Sequence, residues 1–102
     1  MGAIGYPASL YPSLITSDTA ISTVPTKVYW MTISNTHATD PATVQLNDSD
    51  DDSGTDIFAI DIEQGQQFHM IFDPPIQFAV ALWADITGGT VKVNVGYYPS
   101  PA

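Results

Sequence analysis

The run Val91-Lys92-Val93-Asn94-Val95-Gly96-Tyr97 sets apolar residues on every second position. Successive side chains of a strand point to opposite faces of a sheet, so a period of two marks a strand with one buried and one wet face. The rhythm recurs in short runs rich in Val, Ile, Thr, Phe and Tyr. It predicts strands at 14–16, 20–24, 27–35, 43–47, 57–62, 67–72, 76–84 and 90–98. Apolar residues rarely recur at helical spacing and Glu63 is the sole glutamate, so nothing reads as helix.

The phase of each run says what faces inward. In 27–35, Tyr29, Met31 and Ile33 are expected on one side and Val28, Trp30 and Thr32 on the other. In 76–84, Ala79, Ala81 and Trp83 oppose Phe78, Val80 and Leu82. A strand apolar on both sides belongs in the middle of a sheet or at a subunit contact. Trp30 and Trp83 therefore read as core or interface residues ahead of a sugar-stacking platform.

The connectors carry turn chemistry. "HATDPA" holds Asp40-Pro41, "EQGQ" places Gly65 at a tight turn, "DPP" breaks the chain before Ile76, and "ITGGT" suits a hairpin. Strands spaced about ten residues apart with such turns specify an antiparallel β-sandwich or small barrel. Pattern alone leaves the strand order open.

The chain of 102 residues suits one domain. Without cysteine, it has no disulfide, zinc-thiolate site or thiol nucleophile. Lys27 and Lys92 are the only basic residues apart from histidine, and the net charge is -9. A nucleic-acid partner needs a cationic footprint that releases counterions, and an anionic membrane needs the same, so both are excluded. Charged residues make up 13% of the chain, against about 25% in an ordinary soluble domain. Such a surface points to oligomerisation or to a place in a larger particle. The opening Met1-Gly2 precedes neither a basic stretch nor an apolar run, so no secretory signal is expected.

The ends differ in kind from the middle. "GYPASLYP" and "YYPSPA" are aromatic and punctuated by proline, which cannot donate to a central ladder. They divide the chain into an extended arm at 1–13, a sandwich domain at 14–98 and a tail at 99–102. Tyr6, Pro7, Leu10, Tyr11, Pro12, Leu14, Tyr97 and Tyr98 are then candidate contacts to a neighbouring subunit, with Trp30 and Trp83.

The acidic stretch "NDSDDDSGTD" packs five aspartates into 48–56. A helix-flanked calcium loop wants oxygens at positions 1, 3 and 5, glycine at 6 and glutamate at 12. Counting from Asp48, the third and fifth positions are Asp50 and Asp52, but Ser53 takes the glycine position and Ala59 the glutamate position. A looser calcium site in a β-loop would draw on Asp48, Asp50, Asp52 and Asp56. The preferred reading is a solvated hairpin tip, whose repelling carboxylates discourage edge pairing. His37 falls in a polar loop and His69 in a strand, where partial burial is expected. Neither has metal-ligand spacing, and no serine sits in a nucleophile elbow, so no catalytic, metal or cofactor residues are assigned.

The stretches Ile33-Ser34-Asn35-Thr36, Ala42-Thr43-Val44-Gln45-Leu46-Asn47-Asp48, Pro75-Ile76-Gln77-Phe78 and Val93-Asn94-Val95-Gly96-Tyr97 occur in that order around an acidic tip. Together, over 28–98, they resemble a group of small virion proteins of tailed phages, with Ala81 replacing a glycine often found there. The resemblance implies an all-β, jelly-roll-like antiparallel sandwich and a homotrimer that decorates or cements a capsid. Its partner would be the major capsid protein, and its station the capsid surface after synthesis in the host cytoplasm. The arms at 5–14 and 97–101 would make the contacts, and the acidic tip would face solvent. The alternative is a tail- or fibre-associated or carbohydrate-binding sandwich module, with a calcium-dependent loop.

Overall fold

A computed structural model of the chain describes residues 12–99. Eight strands follow one another without a helix among the described residues: β1 Pro12–Ile15, β2 Thr19–Ser22, β3 Thr26–Asn35, β4 Ala42–Asp48, β5 Thr55–Ile62, β6 Gln67–Phe78, β7 Leu82–Gly88 and β8 Val91–Pro99. They form two antiparallel four-stranded sheets, sheet A in the order β1-β8-β3-β6 and sheet B in the order β2-β7-β4-β5. Only β4 and β5 are consecutive strands of one sheet, and the acidic stretch is their connection. Every other turn carries the chain from one sheet to the other.

That alternation places the turn residues in unexpected work. "ITGGT" is a crossing from β7 of sheet B to β8 of sheet A. It needs two left-handed residues, and Gly88 and Gly89 supply φ of 78° and 62°.

One core lies between the sheets. Val28, Met31, Ile33, Val93 and Val95 from sheet A meet Val44, Leu46, Ile62, Leu82 and Ala84 from sheet B, all essentially unexposed. This sandwich-like layering follows from the alternation, since each strand has one apolar side to remove from water.

The phase of β3 differs from expectation. Its register against both neighbours shifts between Val28 and Trp30, so Val28, Met31 and Ile33 all face the core while Trp30 and Thr32 face outward. An extra residue in one strand flips the side-chain alternation beyond it.

The boundary between β6 and β7 also differs. β6 runs through Asp73-Pro74-Pro75, with Asp73-Pro74 cis, as far as Phe78. It is an edge strand, where a missing donor faces no partner. The turn falls instead at 79–81, because the Asp48 carboxylate accepts the amides of Ala79 (3.2 Å), Val80 (2.8 Å) and Ala81 (3.3 Å). A carboxylate collecting adjacent amides holds them in one concave turn.

At the other end of the sandwich, the buried Asn35 amide serves three loops. Its nitrogen donates to the carbonyls of Asp40 (2.9 Å) and Ile62 (3.3 Å). Its oxygen accepts from the amides of His37 and Thr90, both at 3.1 Å.

The residues expected as arms adjoin or enter the sheets. Pro12 pairs with Gly96 and Leu14 with Asn94. Tyr97 and Tyr98 pair with Val28 and Lys27 inside sheet A. Tyr6, Pro7, Leu10 and Tyr11 lie outside the described residues.

Candidate interaction surfaces

The outward-facing side chains divide into two surfaces of opposite character. On sheet A the register builds rows across the strands. Gly96, Trp30 and Ile71 form one row, Leu14, Asn94, Thr32 and His69 the next, and Lys92, Ser34 and Gln67 a third. Leu14 is 63% exposed and Ile71 72% exposed, and Trp30 is half-buried between the strands that carry Gly96 and Ile71. Large apolar side chains left this open are the informative exception on a soluble surface.

Gly96 is what seats Trp30. A Cβ at this position would lie 2.0 Å from the indole Nε1 and 2.1 Å from Cε2, so the ring rests directly on the backbone of β8. Leu14, Thr32, Ser34, Gln67, His69, Lys92 and Asn94 border a shallow open hollow beside it. His69 is exposed here rather than partly buried as expected, because Phe68 and Met70 on either side take the core-facing positions.

Sheet B presents carboxylates. Asp56, Asp61 and Asp85 face outward, and the strands of this sheet carry no lysine, arginine or histidine. Gln45 donates to Asp56 (2.9 Å) and Thr43 to Asp61 (2.9 Å), each across the β4–β5 ladder. Burial raises the Asp85 carboxyl above the ordinary aspartate value, and the charges of Asp18, Asp52 and Asp56 raise it further. Trp83 also faces outward, opposite Asn47 on β4. Its Nε1 and the Asn47 Oδ1 are buried without a hydrogen-bond partner, while the Asn47 nitrogen donates to Asp56.

The four aspartates considered as calcium ligands are divided among tasks. Asp48 holds the turn at 79–81, Asp56 bonds across the ladder, and Asp50 and Asp52 are exposed. Asp51, which was not among them, organises the tip. Its carboxylate accepts from the hydroxyl and amide of Ser53 and from Ser49 Oγ (3.0 Å), and these bonds, those from Ser53 foremost, hold its carboxyl below the usual aspartate value. Among the described residues no three carboxylates or imidazoles are grouped so as to hold an ion. His37 serves its own loop, its Nδ1 accepting the amides of Thr39 (3.1 Å) and Asp40 (2.9 Å).

Of the interface candidates within the described residues, Leu14, Trp30 and Tyr98 lie on the outer side of sheet A and Trp83 on that of sheet B. Tyr97 packs against the core instead. Sequence reasoning missed Ile71, since Met70-Ile71-Phe72 is apolar throughout and hides which residue points out. Among the described residues no helix is long and apolar enough to cross a membrane. No protein-family model matches the chain, no curated protein matches its sequence and no solved structure matches its fold.

Proposed function

We propose that this chain is a structural component of a tailed-phage virion. Specifically, it acts as a homotrimeric decoration protein that binds the major capsid protein and cements the mature shell. The observation that carries the reading is the open apolar row on sheet A, where Ile71 and Leu14 stand exposed beside a tryptophan seated on Gly96. A surface of this kind is built to be covered. The low content of charged residues, 13%, supports the same conclusion.

The strand order supports a jelly roll as the finer description. Two sheets ordered β1-β8-β3-β6 and β2-β7-β4-β5 are what a pair of interleaved Greek keys produces, an architecture common in viral capsid and lectin domains. In this reading the chain has no catalytic role. It works by linkage: binding the expanded shell and not the unexpanded one stabilises the expanded state by the difference in affinity. Three copies around one axis engage neighbouring capsomers together, so weak contacts add through avidity.

The test is co-sedimentation of the purified chain with mature and with unexpanded shells of the phage that encodes it. Saturable binding to mature shells, with a raised shell melting temperature, is expected. Absence of binding to either shell would refute the reading. A second reading, a carbohydrate-binding module of a tail or fibre, is favoured by the aromatic plate that Trp30 makes on an open sheet. Saturable quenching of tryptophan emission by surface glycans, without shell binding, would establish it in place of the first.

A further inference from the structure

Sorting the charges by sheet gives a division that the overall charge of -9 conceals. Both lysines, Lys27 and Lys92, belong to sheet A and point outward, each lying between residues that face the core. Among all the sheet A strands the one carboxylate is Asp73, in the proline-bearing bulge of β6. The sheet B strands hold Asp48, Asp56, Asp61 and Asp85 and no basic residue. Sheet A also has an apolar patch, Trp30, Ile71 and Leu14, whereas the outward apolar residues of sheet B, Trp83 on β7 and Ala59 on β5, stand apart on either side of Gln45 and Asn47.

We propose that the outer face of sheet A docks on the outer face of sheet B of a second copy of this chain. The inference rests on the reading that the chain assembles with itself, and it names the two surfaces that meet. Of the three possible pairings, A on A would set lysines against lysines, and B on B would set carboxylates against carboxylates. Only A on B brings opposite charges together around the apolar patch of sheet A.

The edges of the sheets argue for faces as the contact. β1 and β2 are four residues long, β5 carries Asp56 and Asp61, and β6 is bulged by Pro74 and Pro75. Each of these devices discourages strand addition. Copies of an acidic chain repel at a distance, but at physiological salt this is screened beyond about 8 Å. Contact-range pairing between the faces survives such screening. Because two different patches meet, the contact is head-to-tail: it closes into a ring such as the proposed trimer only where successive copies are rotated enough, and otherwise continues as an open stack.

Sedimentation equilibrium of the full chain at physiological salt tests the proposal. The unaltered chain should sediment at a multiple of the 11.0 kDa chain mass. Lys27→Glu/Lys92→Glu makes face A negative, and Asp61→Lys/Asp85→Lys makes face B more positive. Each variant alone should fall to 11.0 kDa. Mixing the two should return a mass above that of one chain, in assemblies that alternate the two variants and so hold even numbers of chains, because each reversed face then finds an opposite one only on the other variant. Lys92→Glu alone, at an exposed position, provides a milder variant that keeps the fold and should shift the equilibrium toward monomer.

An unaltered chain that sediments as a monomer would overturn the proposal and leave face A to an acidic foreign partner. So would variants that keep the full mass, or a mixture that stays monomeric. A monomer that still binds mature shells would remove this docking and the trimer, and keep the decoration role itself. Assembly through these faces without shell binding would do the reverse.

Discussion

The two outer faces are built by the same alternation of residues, yet they differ in almost every surface property. Sheet A shows Leu14, Trp30 and Ile71 with the only two lysines. Sheet B shows carboxylates held by Gln45 and Thr43, with a tryptophan whose N–H is buried. Both sheets alternate to fill one core, but the outward positions are free of that demand. The difference teaches that the inward half of the pattern specifies the fold, and the outward half carries whatever distinguishes one surface from the other.

The largest effect is expected beneath both faces, where the comparison would break altogether. Asn35→Asp removes both donors from the carbonyls of Asp40 and Ile62 and sets a carboxylate in a buried position. Denaturant unfolding should show a loss of about 3–5 kcal/mol. Both sheets should melt together, since they share one core; separate transitions would show that they do not.

Next comes the seat of Trp30. Gly96→Ala forces the indole away from β8, and overpacking of this kind costs about 1–3 kcal/mol. Trp30 emission should shift to the red, while the acidic face keeps its properties.

A smaller effect, of opposite sign, is expected at Asp85. Its folded carboxyl holds a proton more tightly than the unfolded one, so at neutral pH the charge it must carry opposes folding. That penalty is complete above the folded-state value and fades as pH falls through it toward the unfolded value. Asp85→Asn should therefore raise the melting temperature at pH 7, and the gain should disappear near pH 3. A gain equal at both pH values would place its origin elsewhere. The smallest effect belongs to Trp83→Phe, which removes an unpartnered N–H and should change stability by less than about 1 kcal/mol.

Much of this was legible in the residues. The eight strands, the absence of helix among the described residues and the placing of the acidic stretch in a hairpin all follow from period-two patterning and turn chemistry. What escaped was set by contacts distant in sequence. Pro74 and Pro75 read as the end of a strand, but an edge position tolerates them and the reach of Asp48 moves the turn to 79–81. The bulge after Val28 reverses the facing expected for the start of β3, and no residue type announces it. Gly88-Gly89 has hairpin chemistry, yet it joins two sheets. The separation of charge between faces is invisible until the strand order is known, since Lys27 and Lys92 stand far apart in the chain.

The central claim is that the outer face of sheet A is a covered, working surface. It is tested most directly by the fluorescence of Trp30 as the sole tryptophan in a Trp83→Phe chain, followed over a dilution series with a neutral quencher. The account predicts blue-shifted, quencher-shielded emission at high concentration that turns red and accessible as the assembly dilutes to 11.0 kDa chains. Emission and quenching that stay the same at every concentration, with mature shells present or absent, would contradict it.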